Sequence, residues 1–157
     1  MPQTDTTTPS TSLAGAENAS QSLNALSLLH CLSEDTRRGF EKLAAKAEAG
    51  FQPTAERFAA LHARHTARLD RMVREMGGLP DTDGSFMGTL NVAVVTLRAL
   101  FDAIDTGVMD RVRSGEDNVL DAFDTAIAAS LPQGHNEALL QMRAELTDLL
   151  DATRHLG

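Results

Sequence analysis

The stretch LHARHTARL, residues 61–69, has core-type residues at helical spacing, which is the pattern that recurs along the chain. It belongs to a longer segment in which one face repeats every three or four positions. The residues of that face are Ala55, Phe58, His62, His65, Leu69, Met72 and Met76. Such spacing places them along one side of an α-helix. Gly77–Gly78 follows, which is typical of a helix end. The sequence therefore predicts one long helix that ends there and has two histidines on its core face.

The same spacing recurs in three other segments, which predicts helices over about 21–49 and 108–129 and after the break LPQG, residues 131–134. The first carries Leu26, Leu29, Ser33, Thr36, Phe40, Leu43 and Ala47 on one face. The next carries Met109, Val112, Glu116, Val119, Phe123 and Ala126. The last carries Leu139, Met142, Leu146, Leu149, Thr153 and Leu156. Each face is typical of a helix in a bundle.

Between the second and third of these helices, residues 86–104 predict a further helix that is apolar on much of its surface. A faint internal repeat aligns Phe40 with Phe123 and Glu56 with Glu137, which suggests two similar antiparallel helical hairpins. A full-length helical crossover between two hairpins is the ferritin-like arrangement. We therefore predict an all-α, ferritin-like four-helix bundle with an additional helical crossover between its second and third helices.

The composition of the 157 residues bounds the class of protein. We expect residues 1–20, rich in Thr, Ser and Pro, to be a disordered leader, and residues 21–157 to form a single domain. The formal net charge of −8 disfavours nucleic acid and anionic membranes as partners. No apolar run is long enough for an ordinary spanning helix. Since Cys31 is the single cysteine, no internal disulfide forms, and we expect a cytoplasmic protein.

Four stretches carry a resemblance to a known family: LSLLHCLSEDTRRGFEKLA, MGGLPDTDGSFMG, GEDNVLDAFDTAI and SLPQGHNEALL. Together they resemble the bacterial domain-of-unknown-function family 2383 (DUF2383), over roughly residues 22–156. The resemblance implies a ferritin-like fold. It implies no reaction, because the family has no established biochemical activity.

A ferritin-like di-iron site needs a carboxylate from each of two helices and Glu-x-x-His from each of the other two. This sequence contains no Glu-x-x-His, its last helix has an apolar face, and Arg37 in the first helix would repel iron. If the predicted helices are aligned side by side by their midpoints, Glu116 nevertheless lies near the level of His62 and of Thr36–Arg37. Two interpretations follow. Either Glu116 is a structural partner of Arg37 or of a histidine, which we favour, or His62, His65 and Glu116 bind one metal ion.

Three hypotheses for function result. The leading one is a non-enzymatic bundle protein that acts through protein association, as a homodimer, because residues 86–104 have more apolar surface than one bundle covers. The alternative is a metal-binding or oxidase-type protein holding iron, manganese or zinc, so enzymatic activity stays open. The third is a small-ligand binder lined by Met72, Met76, Met109 and Met142. We interpret Glu145, Asp148 and Asp151 as a solvated acidic face, and Arg64, Arg68 and Arg71 as a basic face paired with acidic neighbours.

Overall fold

The computed structural model describes residues 10–80 and 108–156, with side chains from Leu13 onward. Within these ranges the chain forms four α-helices and no strand, which confirms the all-α prediction. The helices are α1 (Ser10–Lys46), α2 (Gln52–Glu75), α3 (Val108–Ala128) and α4 (Gln133–Ala152), followed by a 3-10 turn (Arg154–Leu156). The predicted crossover over residues 86–104 lies outside the described residues. No helix in the described ranges combines the length and apolarity needed to cross a bilayer.

The four helices surround one hydrophobic core, in which α1 and α4 each pack against both α2 and α3. This arrangement places α2 diagonally across the core from α3. Leu23, early in α1, lies beside Gly78 just after α2, so these two helices are antiparallel. Arg113, early in α3, donates a hydrogen bond to the Thr153 carbonyl after α4, at 3.2 Å, so the second pair is antiparallel as well. The described helices therefore form the two hairpins that the sequence predicts.

The predicted core faces are buried almost completely. All the predicted residues of α3 are buried, and so are those of α1 apart from Ala47 and those of α2 apart from Met76. In α4, Leu139, Met142 and Leu146 have no exposed surface, whereas Leu149 is half-buried and Leu156 lies in the exposed final turn. Helical spacing alone thus identifies which side of each described helix faces the core.

The C-terminus of α2 shows why a glycine pair follows that helix. Gly77 has a φ of 81°, a left-handed conformation that favours glycine. This bend directs the Gly77 N–H to the Arg74 carbonyl and the Gly78 N–H to the Val73 carbonyl, at 3.0 and 2.9 Å. The pair of bonds is a Schellman motif, which satisfies carbonyls that have no partner within the helix.

The largest difference from the sequence-based prediction lies at the N-terminus. We predicted a disordered leader over residues 1–20, but α1 begins at Ser10, so residues 10–20 are helical. Alanines at 14, 16 and 19 have high helix propensity and support this extension. The side chains from Leu13 to Gln21 are all exposed, and burial begins at Ser22. The buried face of α1 therefore begins about twelve residues after the helix itself.

Candidate functional site

The candidate site is a layer of polar side chains that interrupts the hydrophobic core, here called the polar layer. It consists of His62 and His65 of α2, Glu116 of α3 and Glu145 of α4. The two histidines are fully buried, because an interval of three residues keeps both on the inner side of α2. A buried polar group costs free energy unless it is hydrogen-bonded, so the partners of each imidazole determine what the layer can do.

His62 reaches diagonally across the core to α3. Its Nε2 lies 2.8 Å from Oε1 of Glu116, and both side chains are essentially without exposed surface. The pairing matches the structural interpretation in which a histidine satisfies Glu116. Arg37 does not take part, because its guanidinium binds Glu34 and Glu41 on its own helix. The bond joins the first hairpin to the second through the centre of the molecule.

His65 makes the second connection, to α4. Its Nε2 lies 2.9 Å from Oε2 of Glu145, whose side chain is 31% exposed. Of the predicted acidic face, Asp148 and Asp151 are exposed, whereas the partly exposed Glu145 turns its carboxylate toward the buried His65, which the prediction did not include. The sequence shows that Glu145 lies at the edge of the core face, next to Leu146, but it does not show which way this side chain turns.

Aromatic rings enclose the polar layer above and below. Phe40 stacks on Phe58 and on His62, with ring centroids 4.8 and 5.9 Å apart. Phe123 meets His65 edge-on at 5.9 Å. These contacts restrict the imidazole orientations, so each Nε2 remains directed at its carboxylate.

The surroundings of His65 favour its neutral form. Burial lowers the pKa of this imidazole from 6.5 to about 4, with the His62 and Arg64 charges acting in the same direction. The hydrogen bond to Glu145 acts against this effect but does not overcome it. That bond also lowers the pKa of the Glu145 carboxyl. At neutral pH the contact is therefore a neutral imidazole N–H donating to a carboxylate.

The three residues predicted as metal ligands are only partly brought together. His62 and Glu116 are in contact, whereas His65 points to Glu145, with its ring centroid 6.3 Å from that of His62. Across residues 10–80 and 108–156, no group of three or more His, Cys, Asp or Glu side chains is arranged to hold a metal ion. Several buried atoms make no hydrogen bond in this layer or beside it, namely Nδ1 of both histidines, Oε2 of Glu116 and Oγ of Ser33.

The other residues singled out in the sequence lie in the core or on the surface. Cys31, the single cysteine, is buried on α1. Of the four methionines in the small-ligand hypothesis, Met72, Met109 and Met142 are core residues, and Met76 is partly buried and packs against that core. In the basic face of α2, Arg68 approaches Glu145 at 3.8 Å, which agrees with the predicted pairing to an acidic helix.

In its described part, the molecule is an all-helical protein in which two hairpins are joined by buried histidine–carboxylate pairs. The sequence profile of the domain of unknown function DUF2383 matches residues 21–129, more than half of the chain. The protein therefore belongs to the DUF2383 family. The match covers α1 from Gln21, all of α2 and α3, and ends before α4, earlier than the resemblance over residues 22–156 suggested. No curated protein and no solved structure matches the chain.

Proposed function

We propose that this protein is a non-enzymatic, ferritin-like helical-bundle protein that acts in the cytoplasm through protein association, as a homodimer. One observation carries the proposal: each histidine of the polar layer bonds through Nε2 to a carboxylate of the other hairpin. One nitrogen of each imidazole is thereby engaged by a carboxylate. Because these bonds connect the two hairpins, the polar layer has a structural role. The function is then expected of the protein surface.

Helix direction supports the ferritin-like part of the proposal. His62 contacts Glu116 and His65 contacts Phe123, so residue numbers increase in the same direction along α2 and α3. Two antiparallel hairpins with parallel second and third helices are the arrangement of ferritin-like bundles, which have a long connection between those helices. The crossover itself stays part of the proposal.

Light scattering on the purified full-length chain at micromolar concentration tests the association. We expect a mass of twice the 16.8 kDa chain, because a homodimer contains two copies. Monomer at every concentration up to about 100 µM, well above the Kd of most specific dimers, would contradict the proposal.

A metal-binding or oxidase-type protein is the second candidate. The observation that favours it is the set of buried atoms in the layer that make no hydrogen bond, Nδ1 of His62 and His65 and Oε2 of Glu116. Iron, manganese and zinc accept imidazole and carboxylate ligands. In this candidate the two histidines and Glu116 would be the ligands.

Elemental analysis of protein purified without chelators separates the two candidates. Stoichiometric iron, manganese or zinc that disappears in a His62→Gln variant would support the metal-binding candidate. This variant keeps an N–H donor for Glu116, and far-UV circular dichroism checks that it remains folded. Protein that stays metal-free after reconstitution with iron would leave the association proposal as the better one.

A further inference from the structure

A groove of about 520 Å³ runs between α2 and α4 on the outside of the bundle, here called the α2–α4 groove. Its apolar lining consists of Ala60 and Leu61 of α2 and of Leu149 and Ala152 of α4. Because α1 and α3 also pack on each other, the groove lies on the side of the bundle opposite the α1–α3 pair. The two alanines at its edges leave room for a second surface to approach closely.

The two walls of the groove carry opposite charges. Arg57 and Arg64 line the α2 wall, and Glu145 and Asp148 line the α4 wall. A small anion would be attracted by one wall and repelled by the other. The groove therefore fits an occupant that carries both signs of charge, arranged on two sides of an apolar strip.

Three of these four charges are available to such an occupant. Glu145 is bound to His65, but the side chains of Arg57, Arg64 and Asp148 make no hydrogen bond or ion pair in the described part of the chain. All three are exposed. A partner that supplied the opposite charges would gain complementary pairs without breaking existing ones.

The antiparallel register places opposite charges at similar heights along the groove. His65 bonds to Glu145, and Glu75 bonds to His135. A residue of α2 and the residue of α4 at the same height therefore have numbers that add up to the same sum as in these two pairs. Arg64 then lies within about one helical turn of Asp148, given a rise of about 1.5 Å per residue. By the same register Arg57 lies near Ala152, at the end of the groove.

The same groove of a second copy of the protein meets these conditions. Consider a two-fold axis that runs along the groove, parallel to α2 and α4. It would place α2 of one copy over α4 of the other and keep each residue at the same height along the axis. Arg64 of each copy would face Asp148 of the other, and the apolar strips would meet between them. Because a two-fold interface uses the same patch twice, a patch with one basic wall and one acidic wall is self-complementary.

We propose that the α2–α4 groove is the homodimer interface of this protein, filled by the same groove of a second copy. This inference rests on the proposed self-association and identifies its surface. The charged walls set the pairing between copies, and the apolar strip supplies the area removed from water.

Charge reversal tests the interface, with sedimentation equilibrium of the full chain as the measurement. Arg64→Glu and Asp148→Arg each replace two attractive contacts per dimer with two repulsive ones, so we expect each to raise the dimer Kd by about tenfold or more. The double variant Arg64→Glu/Asp148→Arg restores opposite charges across the interface. Its Kd should return to within about threefold of the unmodified protein.

Lys42→Glu on α1 and Asp117→Arg on α3 are the matched controls, because they make the same charge changes at exposed positions on the other two helices. We expect both to leave the Kd unchanged. Far-UV circular dichroism of each variant checks that the helices remain folded. The positions are all on the surface, so folding should persist.

The outcomes separate the inference from the proposed function. Weaker association in both single variants together with recovery in the double variant supports the interface. If the protein is a dimer but neither charge reversal changes its Kd, the inference is overturned while the proposed association stands. A protein that is monomeric before any substitution overturns both.

Discussion

At the scale of single residues, His65 couples folding to pH. Its pKa in the folded protein is about 4, below the 6.5 of an ordinary imidazole, chiefly because of burial. Between these pH values the unfolded chain binds a proton that the folded protein does not. The free energy of unfolding therefore falls as pH is lowered from about 6.5 to about 4. At about 1.4 kcal/mol per pKa unit, the loss is about 3 kcal/mol.

Urea unfolding followed by circular dichroism at pH 7, 5.5 and 4 measures this loss. Replacing the imidazole in His65→Phe should make the stability less dependent on pH over that window. His155→Phe removes a histidine from the exposed final turn and serves as the matched control. Equal pH dependence in the His65 variant and the unmodified protein would show that His65 protonation is not linked to folding.

Residue-scale geometry also explains which parts of the site the sequence could predict. The level of His62 and Glu116 follows from helix directions and lengths, and the two side chains do meet. The partner of His65 could not be predicted, because Glu145 lies just outside the spaced core face of α4 and only its side-chain torsions bring it inward. Arg37 binds Glu34 and Glu41 of its own helix, three and four positions away, which is the spacing at which oppositely charged residues pair on a helix.

At the scale of helices, periodicity identified the buried side of every described element, since burial on one face is what creates the pattern. The start of α1 is not predicted, because no face of the helix is buried there. Residues 13–21 form helix without burying a face, so the sequence there has no apolar repeat to detect. The signals that remain at this end are helix propensities, which are weaker.

Two glycines test how local backbone requirements contribute to helix stability. Gly77→Ala places a side chain in the left-handed conformation that ends α2, so we expect a loss of about 1 kcal/mol in the free energy of unfolding. Gly115 lies inside α3, and a methyl group there would meet nothing within 4 Å. Gly115→Ala should therefore raise stability by about 0.5–1 kcal/mol.

Urea midpoints of the two variants give both values, and each variant serves as the control for the other because the chemical change is identical. Opposite signs are the expected result. A loss of stability in Gly115→Ala would mean that the backbone of α3 at this position needs glycine, contrary to the continuous helix from Val108 to Ala128.

Across the four described helices, the polar layer and the core join the two hairpins into one unit. His62–Glu116 and His65–Glu145 both link α2 to the second hairpin, and the buried residues of all four helices form one hydrophobic cluster. Neither hairpin can separate without exposing that cluster and leaving buried polar groups unpaired. We therefore expect the hairpins to unfold together.

Native-state hydrogen exchange tests this expectation helix by helix. The slowest amides of α2 and α3 should exchange with the same opening free energy, equal to that of global unfolding, because both helices open only when the shared core does. Amides of residues 13–21 should exchange much faster and act as an internal control, since that part of α1 is exposed on all sides. A lower opening free energy for all of α3 and α4 than for α2 would show that the hairpins unfold separately, and the polar layer would then not be what couples them.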